Sequence, residues 1–600
     1  MPTTAKKCGY MVCLPNSWSA RLFRKAARLL RKADMSGLNF CRHVLEEARR
    51  NPQRLALDIP LMQGRRCLGA EQCTYGELMQ RVSALQLLWQ QQGLQPGERV
   101  VVIARPSVDL YAVVLSLLAS GLVAVFIDTG MGRKKIRMAL ADARPVAIVS
   151  MQVLLRWFWL IPELWSLKRF SIDRTTLGSR SLSKALAAFK GKLASVDSGT
   201  WPQLAAPPTG DHCLISFTSG STGRPKGADR THASLDAQHA AIRHHWPDAD
   251  GERDSPCFPV MVLHNLSCGM SSCLPEVDLA APAQVDAAAV LTRWQQQGVT
   301  RISGAPAYFR ALCDELLLRK TTLPQITSLV IGGAPVSQLL ARDLLQVFPN
   351  AYARIAYGST EAEPIASLLL QDYLHSGEQP GVAGLLVGDI AEDTDVLICN
   401  LPANNDALLN ESLVNESPVN EHHVRDGRCD VGEEGEILVA GRHVLRGYYH
   451  NPQADAENKI PRADGLVWHR TGDTGWLDEQ GRLWLSGRVK DAVQLGSQRR
   501  LQPLWLEQQL DALAGVQRSA LIGYEQQSWL FLCCDEPLEN LKSALLALLP
   551  AGEWQVARLK YMPVDGRHNS KIDRPLLRQM AAAGRTDMVV TWNKTESTSI

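Results

Sequence analysis

No two of the fourteen cysteines stand in a C-x-x-C spacing, so neither a zinc knuckle nor a redox dithiol is indicated. The adjacent Cys533 and Cys534 lie in an apolar, strand-like run and read as buried thiols. Cysteine usage as a whole points to a reducing compartment and so to a cytoplasmic location. Excess charge is missing too: 64 Lys and Arg against 61 Asp and Glu leave a net charge of +3, which argues for no nucleic-acid partner. Long apolar runs are scarce. Residues 111–127 come nearest, but Ser116, Ser120 and Gly121 break the run, and it falls short of the roughly 20 residues a membrane span needs. A buried helix followed by a strand is the stronger reading of it. The amino terminus shows no long apolar stretch and no small-residue cleavage site of a secretion signal.

What the chain does have is length and regular alternation. Its 600 residues exceed one core, and 46% hydrophobic with 21% charged residues is ordinary for a globular protein. Residues 1–38 form a basic extension in which Lys6, Lys7, Arg21, Arg24, Lys25, Arg28, Arg31 and Lys32 alternate with apolar side chains. It reads either as an amphipathic helix on an anionic membrane, as an unstructured extension, or as sequence upstream of a true start at Met35. From Asn39 helix and strand patterns alternate. Thr74-Tyr75-Gly76-Glu77-Leu78 opens a helix that Gly93 stops, and apolar strands follow at residues 100–104 and 123–127, the last leading into the turn Asp128-Thr129-Gly130-Met131-Gly132. This predicts an α/β fold with a largely parallel, layered sheet.

One segment stands apart. Residues 151–170 carry Trp157, Phe158, Trp159, Leu160 and Trp165 flanked by Arg156, Lys168 and Arg169. Aromatics with flanking bases suit an interfacial segment; the alternative is a core helix with its tryptophans packed inside. Either could border a pocket for an apolar acyl chain.

The chain is organised around Ile215-Ser216-Phe217-Thr218-Ser219-Gly220-Ser221-Thr222-Gly223-Arg224-Pro225-Lys226-Gly227. Two apolar residues run into hydroxyls and glycines closed by Pro, Lys and Gly. Glycines let backbone N–H groups approach an anion, and hydroxyls and a lysine complete the field a phosphate needs. The spacing is not that of the nucleotide P-loop, and no helix start follows it. A generic Ser/Gly turn is the bland alternative for any shorter piece of it.

Further pieces follow in order. Residues 258–265, Phe258-Pro259 through Leu263-His264-Asn265, place a histidine that alone reads as a core residue. Residues 329–336 contain Gly332-Gly333-Ala334-Pro335, a strand and turn whose glycines allow a flat base to lie on backbone. In Tyr357-Gly358-Ser359-Thr360-Glu361 the tyrosine ring can stack on a base, Thr360 can donate to phosphate, and Glu361 offers a hard oxygen for Mg²⁺. A polar insertion spans about residues 400–430. Beyond it come Gly435-Glu436-Ile437, Arg446-Gly447-Tyr448-Tyr449, His469-Arg470-Thr471-Gly472-Asp473, whose last carboxylate could accept two hydroxyls, and Gly487-Arg488-Val489-Lys490-Asp491. Near the end lies Arg567-His568-Asn569-Ser570-Lys571-Ile572-Asp573.

Taken together, these motifs resemble the adenylate-forming (ANL) superfamily over about residues 39–580, with the phosphate loop and the Tyr357–Glu361 motif the most specific parts. The resemblance implies a large AMP-binding domain over 39–489, a layered αβαβα type with a smaller β subdomain, a mobile α+β domain over 490–583 and a loose polar tail over 584–600. It implies that Thr218, Ser219, Gly220, Ser221, Thr222, Gly223 and Lys226 cradle phosphate and that Gly333, Ala334 and Pro335 border adenine. Tyr357, Gly358, Ser359 and Thr360 would hold the nucleotide, Asp473 and Arg488 its ribose, and Glu361 Mg²⁺. Lys571, Glu361, His264 and Thr218 are the catalytic candidates, Lys490 the hinge. His469 replaces the usual aromatic of the ribose motif, and Gly496-Ser497-Gln498-Arg499-Arg500 replaces the usual turn after the hinge, which weakens a CoA reading without excluding it.

Within the superfamily, residues 128–132 and 567–572 look most like the OleC-type β-lactone synthetase and fatty acyl-CoA ligase group. That implies ATP- and Mg²⁺-dependent activation of a fatty acid, with a 2-alkyl-3-hydroxy acid as one option, followed by β-lactone closure or transfer to CoA. A thiolase-type partner enzyme and a peripheral membrane contact are the remaining partner options. A non-catalytic nucleotide- or lipid-binding protein on the same scaffold is the reading from another class.

Overall fold

A computed structural model describes residues 38–63, 66–193, 201–206, 212–218, 224–277, 285–376, 384–400, 420–495, 499–564, 572–584 and 588–594. Two large sheets dominate. The seven-stranded sheet runs, in spatial order, Arg180–Ser181, Lys168–Ser171, Ala147–Ser150, Arg99–Ile103, Val123–Ile127, His212–Thr218 and Lys226–Thr231. Its pairings are parallel except the last, where Thr218 faces Lys226 across an antiparallel hairpin. The residues that follow the loop, from Lys226, enter a strand and not a helix, as the missing helix signal implied.

The fourteen-stranded sheet is parallel through its middle, from Ser271–Cys273 to Tyr352–Ser359, and antiparallel beyond it through Leu483–Arg488, Val467–Leu477 and Gly435–Gly441 to Thr394–Cys399. The largely parallel expectation thus holds for the first half of the chain. From Tyr352–Ser359 onward this sheet is antiparallel, beginning where Tyr352–Ser359 pairs with Ala362–Leu369 across a short turn that needs no crossover.

Local chemistry explains the helices that hold the first sheet. Tyr75–Gln91 starts at Thr74, whose hydroxyl accepts from Glu77 N–H while the Glu77 carboxylate accepts from Thr74 N–H, a reciprocal cap. Val108–Ala119 starts at Ser107 and is buried along its length except at Asp109, which pairs with Arg81. Its one polar interior side chain, Ser116, accepts from Trp89 Nε1 at 2.9 Å and donates to Val113 O. The serine that breaks the apolar run is therefore satisfied inside the core, which suits a buried helix. Trp89 is among the largest fully buried side chains, and truncating it to alanine would cost roughly 3–5 kcal/mol. Among the described residues no helix is long and apolar enough to cross a membrane.

Residues 151–170 form no continuous core helix. They fold as a short helix, Gln152–Leu155, and two 3-10 turns, Phe158–Leu160 and Pro162–Leu164. Leu155, Leu164 and Leu167 point into the protein, and the tryptophans point out. Of the expected insertion, residues 401–419 lie outside the described residues, and Glu421–Asp426 is helical, capped by Asn420.

The last sheet has four strands, Val516–Tyr524, Gln527–Cys534, Gly552–Arg558 and Met588–Lys594, backed by Pro503–Asp511, Leu538–Leu548 and Arg574–Ala583. The strand Met588–Lys594 corrects the expectation of a loose tail over 584–600. It pairs antiparallel with Gly552–Arg558, and alternation turns Trp592 into the core, 3% exposed, while Thr591 and Asn593 face solvent. Its polarity is that of an edge strand with one wet face. Residues 595–600 lie outside the described residues.

Candidate active site

The second strand of the phosphate hairpin begins at Lys226, half-buried beside a group of residues drawn from distant parts of the chain. Its ammonium lies 5.2 Å from the ring centre of Tyr448 and 3.9 Å from a Glu457 carboxylate oxygen. Ala228 bridges to Tyr448, and Tyr449 N–H donates to Gly227 O. The Tyr448 hydroxyl in turn donates to Glu361 Oε1 at 2.8 Å. Arg230, on the same strand as Lys226, donates to the Thr360 carbonyl at 2.7 Å. The hairpin and the Tyr357–Glu361 corner are therefore in direct contact.

Glu361 is ionised against the pull of its surroundings. Burial works against its charge, and the Tyr448 hydroxyl and the Lys459 ammonium oppose it, holding the carboxyl below its ordinary value. Lys459 faces His469 across an antiparallel strand pair. Its ammonium donates to Leu445 O and lies 5.5 Å from the Tyr448 ring centre. Burial draws its pKa down to about 8. His469, the substituent for the usual aromatic, is buried, holds Asn458 O through Nδ1 at 3.3 Å, and is kept neutral by desolvation.

On the other side of the corner, the Tyr357 hydroxyl donates to Asp473 Oδ2 at 2.8 Å, and Arg488 Nε lies 3.0 Å from Asp473 Oδ1. Asp473 and Arg488 are cross-strand partners, so the sheet register alone brings the two ribose candidates together. Asp473 is 9% exposed. Ser359 Oγ, between Tyr357 and Glu361, is buried and has no hydrogen-bond partner among the described residues. Such an orphan fits a site completed by a bound polar ligand.

Gly332 shows why this position must be glycine: a Cβ there would meet the Ala356 carbonyl at 2.7 Å on the neighbouring strand. Gly333 adopts φ +82° and lies against the Phe258 ring, so the Gly333-Ala334-Pro335 turn is a flat shelf next to the strand that leads to Tyr357. Thr218 is half-buried at the hairpin's outgoing end. Ser219, Gly220, Ser221, Thr222 and Gly223 lie outside the described residues.

The match to a known profile settles the family. Residues 44–449 match the AMP-binding enzyme family.

The chain belongs to the AMP-binding enzymes.

A relative from Stenotrophomonas maltophilia, named olefin beta-lactone synthetase, is 31% identical over 580 residues, covering 91% of this chain and 98% of its own. A feruloyl-CoA synthase from an Amycolatopsis species is 29% identical, covering 77% and 82%. The amide bond synthetase McbA from Marinactinospora thermotolerans superposes with a TM-score of 0.71 over 90% of this chain and 99% of that one, at 20% identity, which speaks to the fold alone.

In this AMP-binding enzyme the two remaining catalytic candidates have different surroundings. His264, on the helix Met261–Ser267, is 4% exposed; its Nδ1 is 3.0 Å from His239 Nδ1, and its Nε2 is 3.6 Å from Cys268 Sγ. Burial holds both imidazoles neutral. Approach to a substrate carboxylate would require the His264 ring to exchange one of these partners. Lys571 lies outside the described residues; the residues on either side of its loop, Val564 and Ile572, bridge to each other. Lys490 sits exposed in the 3-10 turn Val489–Asp491, and partial desolvation of its ammonium lowers its pKa. Its neighbour Asp491 pairs with Arg574 at 3.3 Å, and Arg574 pairs with Glu507 at 2.9 Å.

Sequence reading missed Tyr448, Lys459 and Arg230. Tyr448 carried the only signal: it follows Gly447, where a Cβ would meet Asp455 Oδ1 at 3.1 Å. A glycine preceding a tyrosine pair therefore marked a close approach. Lys459 gave none, since an isolated lysine reads as a solvated one.

Proposed function

We propose that this AMP-binding enzyme activates a fatty carboxylic acid with ATP as an acyl-adenylate. A carboxylate oxygen of the acid attacks the α-phosphorus of ATP, the bond to the bridging oxygen breaks, and pyrophosphate leaves with the electron pair. What carries the reading is the convergence of Lys226, the Tyr448–Glu361 pair and the Tyr357–Asp473–Arg488 set on one cleft. Lys226 and the hydroxyls of the loop from Thr218 would hold phosphate oxygens. Ser359 and Thr360 add donors at the corner. Asp473, oriented by Tyr357 and Arg488, would accept the two ribose hydroxyls, a role for which an ionised acceptor pair is suited. The shelf Gly333-Ala334-Pro335 would border the base.

Glu361 fits one bond to Mg²⁺, an ion that takes one or two carboxylates plus substrate phosphates and when bound would neutralise the charge on the phosphates. Lys571, carried on the C-terminal unit, would bridge the carboxylate and the α-phosphate and offset the charge of the transition state. Little covalent chemistry is then asked of the protein, whose contribution is positioning. His264 would border the acid end of the site. We read residues 39–489 as the larger lobe and those from 490 as the smaller, with Lys490 as the hinge.

For the second half-reaction we favour closure of a 3-hydroxy acid on itself. The hydroxyl oxygen attacks the activated carbonyl, loses its proton, and AMP departs, leaving a β-lactone. The near full-length likeness to an olefin beta-lactone synthetase supports this. The likeness to a feruloyl-CoA synthase supports the other reading, in which the thiol of CoA takes the acyl group. A thiolase-type enzyme is the partner suited to supply a branched 3-oxygenated acid. Mass spectrometry of the products from ATP with 3-hydroxy and plain fatty acids, with and without CoA, separates the two. AMP release from a 3-hydroxy acid that requires CoA would rule out the lactone.

A further inference from the structure

Three tryptophans near one end of the seven-stranded sheet are exposed without cause in the fold. Trp157, Trp159 and Trp165 are 56%, 55% and 58% exposed, and Val153 beside them is 65% exposed. Single exposed apolar residues need no explanation, whereas a cluster of large aromatics does. The cluster is held in shape. Trp157 and Trp159 stand 6.2 Å apart, Trp165 Nε1 donates to Trp159 O at 3.3 Å, and Leu155, Leu164 and Leu167 anchor the turns from below. The exposed rings are thus presented by a rigid base.

The surroundings are basic. Arg169 covers the Phe158 ring at 4.1 Å, and Arg156 is exposed between the helix and the first tryptophan. The helix Arg133–Ala143 is attached directly, Arg133 donating to Leu160 O at 2.7 Å. It opens with Arg133, Lys134, Lys135 and Arg137, and its one acid, Asp142, is paired with Arg224. Within residues 151–170 the one acid, Glu163, is paired with Arg137. These two acids are neutralised locally, Asp173 keeps its charge at the start of Gln152–Leu155, where it accepts from Gln152 N–H, and exposed positive charge remains, including Lys134 and Arg156.

We propose that this surface docks the enzyme on an anionic lipid bilayer, with the three indoles at headgroup depth and the basic helix against the anionic headgroups. Indole rings favour that depth because one edge is apolar and the N–H is polar. Basic residues gain there from the negative surface potential, an attraction that falls off within a Debye length and weakens with salt. Short turns allow shallow insertion and no span. The surface depends on no assumption about the reaction, and it deepens the proposed function by bringing a ligase for apolar acids to where they partition.

The test is co-sedimentation of the full chain with phosphatidylglycerol-containing vesicles and with pure phosphatidylcholine vesicles, in parallel with a chain beginning at Met35. Binding should favour the anionic vesicles, weaken in high salt, persist without the first 34 residues, and be accompanied by a blue shift of indole emission. W157S/W159S/W165S should lose about tenfold or more of the partitioning, and K134Q/R156Q should lose the preference for anionic lipid. Because all five side chains are exposed and the tryptophan variant gives up only the Trp165 Nε1–Trp159 O bond and the Trp157–Trp159 contact, melting temperature should fall by no more than about 4 °C. Failure of the wild type to bind, equal binding by the tryptophan variant, or binding that vanishes when the first 34 residues are removed would each overturn the proposal; a surface made for a protein partner would give the first result. ATP–pyrophosphate exchange with a water-soluble short acid, run on the same samples, should be unaffected, so loss of docking is distinguished from failure of the adenylation reading.

Discussion

Replacing Tyr448 by phenylalanine removes one hydroxyl and leaves the ring between Lys226 and Lys459. The lost contact is a 2.8 Å hydrogen bond to Glu361 Oε1 in a site where Tyr448 is 5% exposed. A hydrogen bond to a charged group is worth about 1.5–3 kcal/mol, and about 1.4 kcal/mol is a factor of ten. If Glu361 acts through Mg²⁺ in the transition state, the exchange rate at limiting Mg²⁺ should fall roughly 10- to 150-fold. There is also a directional signature. Glu361 is held below its ordinary value in part by this hydroxyl, so its removal raises the folded-state pKa. The acid limb of exchange activity, where Glu361 protonates, should move to higher pH, and the Mg²⁺ concentration for half-maximal rate should rise. The assay is substrate-dependent ATP–pyrophosphate exchange as a function of pH and Mg²⁺. A variant within about twofold of wild type in rate and Mg²⁺ dependence, with the same acid limb, would refute the assignment of Glu361.

Lys459→Met tests the buried ammonium. Its folded pKa of about 8 lies below the unfolded value, so the unfolded chain binds more protons between about pH 8 and 10.5, and Lys459 makes stability rise with pH across that window. The methionine variant should be more stable at pH 7 by roughly 1–3 kcal/mol, lose that advantage above the window, and exchange more slowly; a melting difference that does not vary with pH counts against this. Asp473→Asn should raise the KM for ATP roughly tenfold or more with the protein still folded; an unchanged KM would remove Asp473 from the nucleotide site. His264→Phe leaves His239 without its ring partner, so denaturant unfolding should show a loss of roughly 1–3 kcal/mol; a normal stability with a raised KM for the acid would instead assign His264 to the substrate.

The parts of the site that were legible in the sequence are those written contiguously. The loop before Lys226 and the corner Tyr357–Glu361 each combine residue types that suit a shared anionic ligand, whereas Asp473 and Arg488, distant in the chain, were paired only by the family resemblance. The helix start at Thr74 was local in the same sense as the loop and the corner. Lys459 and Arg230 were not legible, and Tyr448 showed only through the glycine before it, because all three act across distances in the chain that no spacing records; Arg230 reaches Thr360, and Tyr448 reaches Glu361, only once the sheets are assembled. The strand Met588–Lys594 read as tail because one of its two faces is wet, and the buried face shows only through its partner strand. The tryptophans of residues 151–170 could be read either way, since composition carries no information on which side of a turn faces solvent.

The most direct measurement of the central claim is ATP–pyrophosphate exchange driven by fatty and 3-hydroxy fatty acids, in the wild type beside Lys571→Ala and Glu361→Gln. Exchange that requires both the acid and Mg²⁺, and that falls about a hundredfold or more in each variant, is the expected result. No exchange with any acid of medium or long chain, or exchange that both variants retain, would contradict it.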